Sequence, residues 1–148
     1  MTADRTEGPM GRLGLLLAWH GRITDAWIRR ALGTTGLTPR HAMTLIHLGA
    51  GPMSQQSLVD KLDVDPSVLV AILNDLEGGD LLHRRRDPAD RRRHIVEITP
   101  EGSITLSALE TALTKVENEL FADLSDQERA TLRDLLNRVA STPSDYEC

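Results

Sequence analysis

Helix starts are spelled out in this chain more plainly than anything else, and they restrict what it can fold into. Thr38-Pro39, Asp65-Pro66 and Thr99-Pro100 each place a short polar side chain directly before a proline. Such a side chain can accept from the unbonded N–H groups of a first helical turn. Proline at the first helical position gives up only a donor that this turn does not use. Ser125-Asp126-Gln127-Glu128 carries the reciprocal pattern, a hydroxyl followed three residues later by a glutamate. Gly49-Ala50-Gly51-Pro52 and Gly78-Gly79 mark stops.

These signals predict helices at 10–32, 38–49, 54–61, 65–77, 100–122 and 125–141, with strands at 81–86 and 92–98. The order α-α-α-α-β-β-α-α is mainly α with a small β-hairpin. Only Leu62-Asp63-Val64 separates helix 54–61 from helix 65–77, which is helix-turn-helix spacing. A hairpin directly after the second helix of such a pair is a wing.

The wing is where the positive charge sits. Residues 83–94 hold six arginines against two aspartates, a net +4, while the whole chain is −5, so the remainder carries −9. Like charges gathered on one hairpin repel one another and stabilise no core. On an acidic body they read as a footprint for a polyanion.

Aromatic residues make up only 3% of the 148, so the core is built of Leu, Ile, Val and Ala. The one cysteine, Cys148, is terminal and has no internal partner, which fits a reducing cytoplasm. We expect no leader peptide and no membrane partner, because no apolar run approaches the roughly 18 residues of a span. His41 and His47, six apart on one predicted helix, point to different faces. His20, His83 and His94 lack ligand-spaced partners, so no metal is expected. No cofactor and no enzymatic activity are expected either, because no nucleophile–base grouping or Gly-rich phosphate loop stands out.

Leu106, Leu109, Leu113, Val116 and Leu120 are spaced 3, 4, 3, 4, a heptad seam. Leu13 and Leu17 on the first helix, and Leu132 and Leu136 on the last, add further apolar positions. Three long helices outside the helix-turn-helix can simply cap its core. The reading preferred here is a homodimer interface built from both chain ends.

Leu58-Val59-Asp60-Lys61-Leu62, Asp65-Pro66-Ser67-Val68-Leu69, Leu76-Glu77-Gly78, Asp87-Pro88-Ala89-Asp90-Arg91-Arg92 and Ile98-Thr99-Pro100-Glu101-Gly102 together resemble the MarR family of bacterial transcription regulators. The resemblance is close over residues 37–102, and the flanking helices match in placement. It implies a single subunit spanning 1–148, with a winged helix-turn-helix lobe at 37–99 and dimerisation helices at 10–36 and 100–141. It further implies a cytoplasmic homodimer on a near-palindromic double-stranded DNA operator, acting as a repressor released by a small-molecule effector.

By that resemblance helix 65–77 is the recognition helix, entering the major groove at Asp65, Pro66 and Ser67. Its outward face is expected to show Ser67, Val68, Val70, Ala71, Asn74 and Asp75, where the family more often has Thr, Ser and Arg. Val70 and Ala71 can pack on thymine methyls, and Ser67 and Asn74 can bond base edges or phosphates. Asp75 would repel phosphates if it faced them. Arg92 is expected in the minor groove with Asp90 bracing its guanidinium. Arg84, Arg86, Arg91 and Arg93 are candidate phosphate contacts, joined by Ser54, Gln55 and Gln56 at a helix start and by Arg40. Trp19, His20 and Trp27 are the candidate ligand-pocket residues. The peroxide-sensing thiol found in part of the family needs a cysteine near the first helix, and none is there. The competing reading is a winged-helix protein-interaction module whose apolar recognition face, Val68, Val70 and Ala71, docks a protein instead of DNA.

Overall fold

The structure, a computed structural model, describes residues 8–139. The chain divides after Val116 into two compact units. In the first unit a 3-10 turn, Pro9–Gly11, precedes α1 (Leu13–Gly33). Then come α2 (Pro39–Leu48), β1 (Met53–Ser54), α3 (Gln55–Leu62), α4 (Pro66–Gly78), β2 (Leu82–Arg86), β3 (His94–Ile98) and α5 (Pro100–Leu120), whose last residues belong to the second unit. The second unit adds α6 (Asp126–Asn137).

Most caps form as their sequences imply. Thr38 Oγ1 accepts from the His41 N–H at 3.4 Å, Ser54 Oγ from Ser57 at 3.1 Å, and Thr99 Oγ1 from Gly102 at 3.0 Å. Ser125 and Glu128 complete the reciprocal capping box. Asp65 is the exception. Its carboxylate makes no capping bond, so α4 starts on the preset φ of Pro66 alone. The expected glycine stop after the recognition helix is also displaced. α4 runs through Gly78, and the left-handed residue is Asp80, with φ 61°. Aspartate tolerates that conformation better than most residues. Asp63, with φ 50°, takes the same conformation in the helix-turn-helix corner, where the Val64 N–H reaches back to the Val59 carbonyl at 3.4 Å.

The hairpin is part of a three-stranded antiparallel sheet, ordered β1-β3-β2. Met53 pairs with Val96 and Ser54 with Ile95; on the other side Leu82 pairs with Ile98, Arg84 with Val96 and Arg86 with His94. β1 escaped the sequence reading because two residues are too few to show an alternating pattern.

The core joins Leu32 of α1, Leu45 and Leu48 of α2, Leu58 of α3, Leu69, Leu73 and Leu76 of α4, Leu82 of β2, Val96 of β3 and Leu109 of α5. Leu109 is fully buried, and Leu106 and Val116 are 9% and 8% exposed. This corrects the seam. Those three residues serve the subunit's own interior, and Leu113 packs partly buried against the same core. The heptad spacing signalled a buried stripe without saying whose residues would cover it.

In the second unit Arg129 of α6 donates to the Phe121 carbonyl through Nε at 3.3 Å and Nη2 at 2.8 Å. Its Nη1 bonds Asn118 Oδ1 at 3.2 Å. A cation on the carbonyl just past the end of α5, which also accepts from the Leu124 N–H, favours the negative end of the helix dipole. The predicted end of the last helix, residues 140–141, lies outside the described residues. Leu120 and Leu132 are half-buried, and Leu135, Leu136 and Val139 are exposed.

Candidate nucleic-acid interface

Strand alternation sorts the basic residues. On β2, Leu82, Arg84 and Arg86 share one face and His83 and Arg85 the other. Leu82 anchors its face in the core, so Arg84 is carried against α4, 22% exposed. Its Nη2 bonds Asn74 Oδ1 at 2.7 Å and Glu77 Oε1 at 3.0 Å. Its Nε reaches Glu77 Oε2 at 3.4 Å, and its backbone N–H bonds the same oxygen at 3.1 Å. Arg84 is therefore a buttress between wing and recognition helix, which corrects its assignment as a phosphate contact. The hydrogen bonds from Arg84 hold the Glu77 carboxyl below its ordinary range, against a smaller opposing effect of desolvation.

The opposite face is tied up as well. Glu97 Oε2 lies 3.3 Å from His83 Nε2 and 3.5 Å from Arg85 Nε. Arg86 remains at the exposed tip, with Nη1 donated to the Arg91 carbonyl at 2.8 Å.

Two aspartates shape the tip. Asp87 Oδ1 accepts from the Ala89 N–H at 2.9 Å, and Asp90 Oδ1 accepts from the Arg92 N–H at 3.1 Å. The Asp87 N–H bonds the Arg93 carbonyl and the Arg93 N–H bonds the Asp90 carbonyl, each at 2.9 Å. Asp-Pro-x-Asp thus encodes two side-chain-to-backbone turns. This corrects the expected brace: Asp90 holds the backbone of Arg92, and its carboxylate forms no ion pair with the guanidinium. Arg91, Arg92 and Arg93 are exposed and make no side-chain bond among the described residues. The six arginines split into three engaged within the lobe and three left to solvent.

On α4, Leu69, Ile72, Leu73 and Leu76 are buried, as the periodicity predicts. Ser67, Val70, Ala71, Asn74 and Asp75 are exposed, with Val70 at 38%. Val68 is not on that open face; it packs half-buried against the core. Asp75 has a partner that the sequence did not suggest. His41 Nε2 donates to Asp75 Oδ2 at 3.0 Å, while its Nδ1 meets the Thr38 hydroxyl. The carboxylate is drawn toward α2, which lessens its threat to an approaching phosphate. His41, Glu77 and Glu97 were missed because their partners are 34, 7 and 12–14 residues away and meet them only after folding.

Other candidates are placed less favourably. Ser54 is 7% exposed and spends its hydroxyl on capping α3, so it offers nothing to a phosphate. Gln55 is half-buried, and Gln56 is exposed with its amide on Asp60 at 3.2 Å. Asp65, Pro66 and Arg40 are exposed. Arg40 edges a cavity of about 200 Å³ between α2, α3 and α4, lined also by Met43, His47, Lys61 and Ile72. The expected ligand residues lie on α1 instead: Trp19 is half-buried under the Arg22 guanidinium at 5.3 Å, His20 is exposed, and Trp27 is 42% exposed.

A helix-turn-helix followed by a hairpin wing with an arginine tip, its sheet completed by β1, defines a winged helix protein. Residues 35–93 match the MarR family. The chain is 36% identical to a putative transcriptional regulatory protein for the hcr operon of Thauera aromatica, over 93% of this chain and 84% of the relative. Among solved structures it is similar to the transcriptional repressor CouR bound to a 23-mer DNA duplex, at 30% identity and TM-score 0.79, covering 91% and 99% of the two chains. It is also similar to a probable transcriptional regulator from Pseudomonas aeruginosa, at 32% identity and TM-score 0.73, covering 87% and 97%. The chain belongs to the MarR family of DNA-binding transcriptional regulators.

Proposed function

We propose that this chain is a repressor that binds a near-palindromic operator as a homodimer and is released by a small ligand. The observation that carries DNA binding is the tip of the wing: Arg91, Arg92 and Arg93 are exposed and unpaired. Unpaired arginines on an acidic chain gain most by meeting phosphates or a narrow minor groove. CouR, the similar repressor, is seen on a DNA duplex. Dimerisation is supported by large apolar side chains left open on the terminal helices: Leu13, Leu15 and Leu17 on α1, Ile104 on α5, and Leu135 and Leu136 on α6. A ligand is supported by relatives of the same fold, CouR from Rhodococcus jostii bound to p-coumaroyl-CoA and BpsR from Bordetella bronchiseptica regulated by 6-hydroxynicotinic acid. No helix of the described residues is long and apolar enough to cross a membrane. The chain acts in the cytoplasm, where its operator is, as a binding protein and not an enzyme.

An electrophoretic shift with the DNA upstream of the protein's own gene tests this reading. A retarded duplex at nanomolar protein is the expected result. No shift even at low salt would instead favour a protein-docking winged helix.

A further inference from the structure

What the recognition helix reads is constrained by a contact behind it. The two hydrogens of Arg84 Nη2 are divided between Asn74 Oδ1, at 2.7 Å, and Glu77 Oε1, at 3.0 Å. Arginine has donors only, so the oxygen of the Asn74 carboxamide faces the guanidinium and its NH2 faces away. Asn74 is exposed on the same side of α4 as Ser67, Val70 and Ala71. An asparagine pairs with adenine through both ends of its amide, accepting from N6 and donating to N7. With the guanidinium on Oδ1, the two N–H donors are the half of the amide turned away from Arg84, and only the second lone pair of Oδ1 is left to accept.

We infer that Glu77, Arg84 and Asn74 form one reading unit, in which Glu77 fixes Arg84, Arg84 turns the Asn74 amide, and Asn74 selects a base edge that presents acceptors, guanine or thymine, over adenine. Arg84 is a positioning residue here and touches no phosphate. The unit spans wing and recognition helix, so it also fixes the angle between the two DNA-contacting elements. The inference rests on the proposed DNA binding and adds which base chemistry one side chain reads.

Selection of duplexes from a randomised pool by the full-length protein, followed by sequencing, tests it. The informative base pair is the one whose preference disappears in Asn74→Ala, an exposed change that leaves the core intact; since every pair holds one keto and one amino base, the strand read is the one on which an abasic nucleotide weakens the wild type but not Asn74→Ala. The wild type is expected to enrich guanine or thymine there, with Asn74→Ala losing about tenfold in affinity on the selected duplex. Asn74→Asp keeps the bond to Arg84 but offers no donor, so enrichment moves to a base with an exocyclic amine, adenine or cytosine. Arg84→Met frees Oδ1, so adenine rises at that position while the salt dependence of binding is unchanged. Adenine or cytosine in the wild-type selection, or guanine or thymine retained by Asn74→Asp, overturns the inference. So does an Arg84→Met protein whose base preference is unaltered or whose salt slope falls by about one per subunit, because that slope counts a phosphate contact. A wild type that selects no sequence at all refutes the DNA-binding reading together with this one; a wild type that selects the wrong base refutes this one alone.

Discussion

At the scale of single residues, the motifs mostly encode backbone geometry, and their functional side chains are few. Gly102 shows this most directly. A Cβ there would meet the Leu81 carbonyl oxygen at 1.9 Å and Ile98 Cγ1 at 2.7 Å. Glycine is required because the first turn of α5 passes directly over the strand that leads out of α4. Gly102→Ala should cost about 1–3 kcal/mol or more, as overpacking does, and urea denaturation would measure it. A neutral result would mean that α5 can slide off β2 at no expense. In the wing, Arg92 has its backbone N–H pinned by the Asp90 carboxylate and its side chain unpaired. Arg92→Ala should weaken specific DNA binding by about 1–3 kcal/mol in fluorescence anisotropy. Asp90→Ala should weaken it too, although it removes a negative charge, because the turn that presents Arg92 loses its bond. Tighter binding by Asp90→Ala would show that charge outweighs the turn.

At the scale of elements, the wing and the recognition helix behave as a joined pair. Arg84 makes four hydrogen bonds to α4, two through Nη2, one through Nε and one through its backbone N–H. Glu77 at the centre of these bonds has its pKa lowered from 4.5 chiefly by the hydrogen bond from Arg84. A carboxyl with a lower folded than unfolded pKa favours folding once pH is above the unfolded value. That contribution is lost as pH falls through the folded value. The urea midpoint should therefore drop below pH 4.5 more steeply in the wild type than in Glu77→Gln. Parallel curves would show that Glu77 adds nothing to the joint. The group is partly exposed, so the difference is small and is read from the shape of the pH profile.

At the scale of the whole molecule, two properties belong to the assembly. The first is its interface. Leu17 is 44% exposed on α1, so Leu17→Glu should leave the subunit folded and make it monomeric by sedimentation. A dimer that persists would move the interface off that face of α1. Leu113, by contrast, packs against the subunit's own core, and a charge there would test folding and not assembly. The second is the salt dependence of DNA binding. Three unpaired arginines in each wing offer six phosphate contacts across a dimer, so log K should fall with log salt at a slope of roughly −5. A slope near −2 in titrations at graded salt would mean that the wing tips do not reach the backbone.

The order of the helices, most of their caps and the helix-turn-helix were legible in the sequence because they rest on local chemistry. A hydroxyl reaches an amide three residues on, proline presets φ, and apolar side chains repeat at the helical period. The basic hairpin was legible for the same reason, since six arginines within 12 residues are a local fact. What tertiary structure decided was the partner of each side chain. Alternation along β2, together with the anchoring of Leu82, set Arg84 against α4, while Arg91, Arg92 and Arg93, in the turn before β3, stay in solvent. Packing within the subunit buried Leu106, Leu109 and Val116, which the seam had assigned to an interface, with Leu109 in the core of the lobe. The approach of α2 to α4 gave Asp75 its histidine. None of these follows from spacing along the chain, because a residue's partner depends on which distant element folding brings within about 3 Å, the reach of a hydrogen bond.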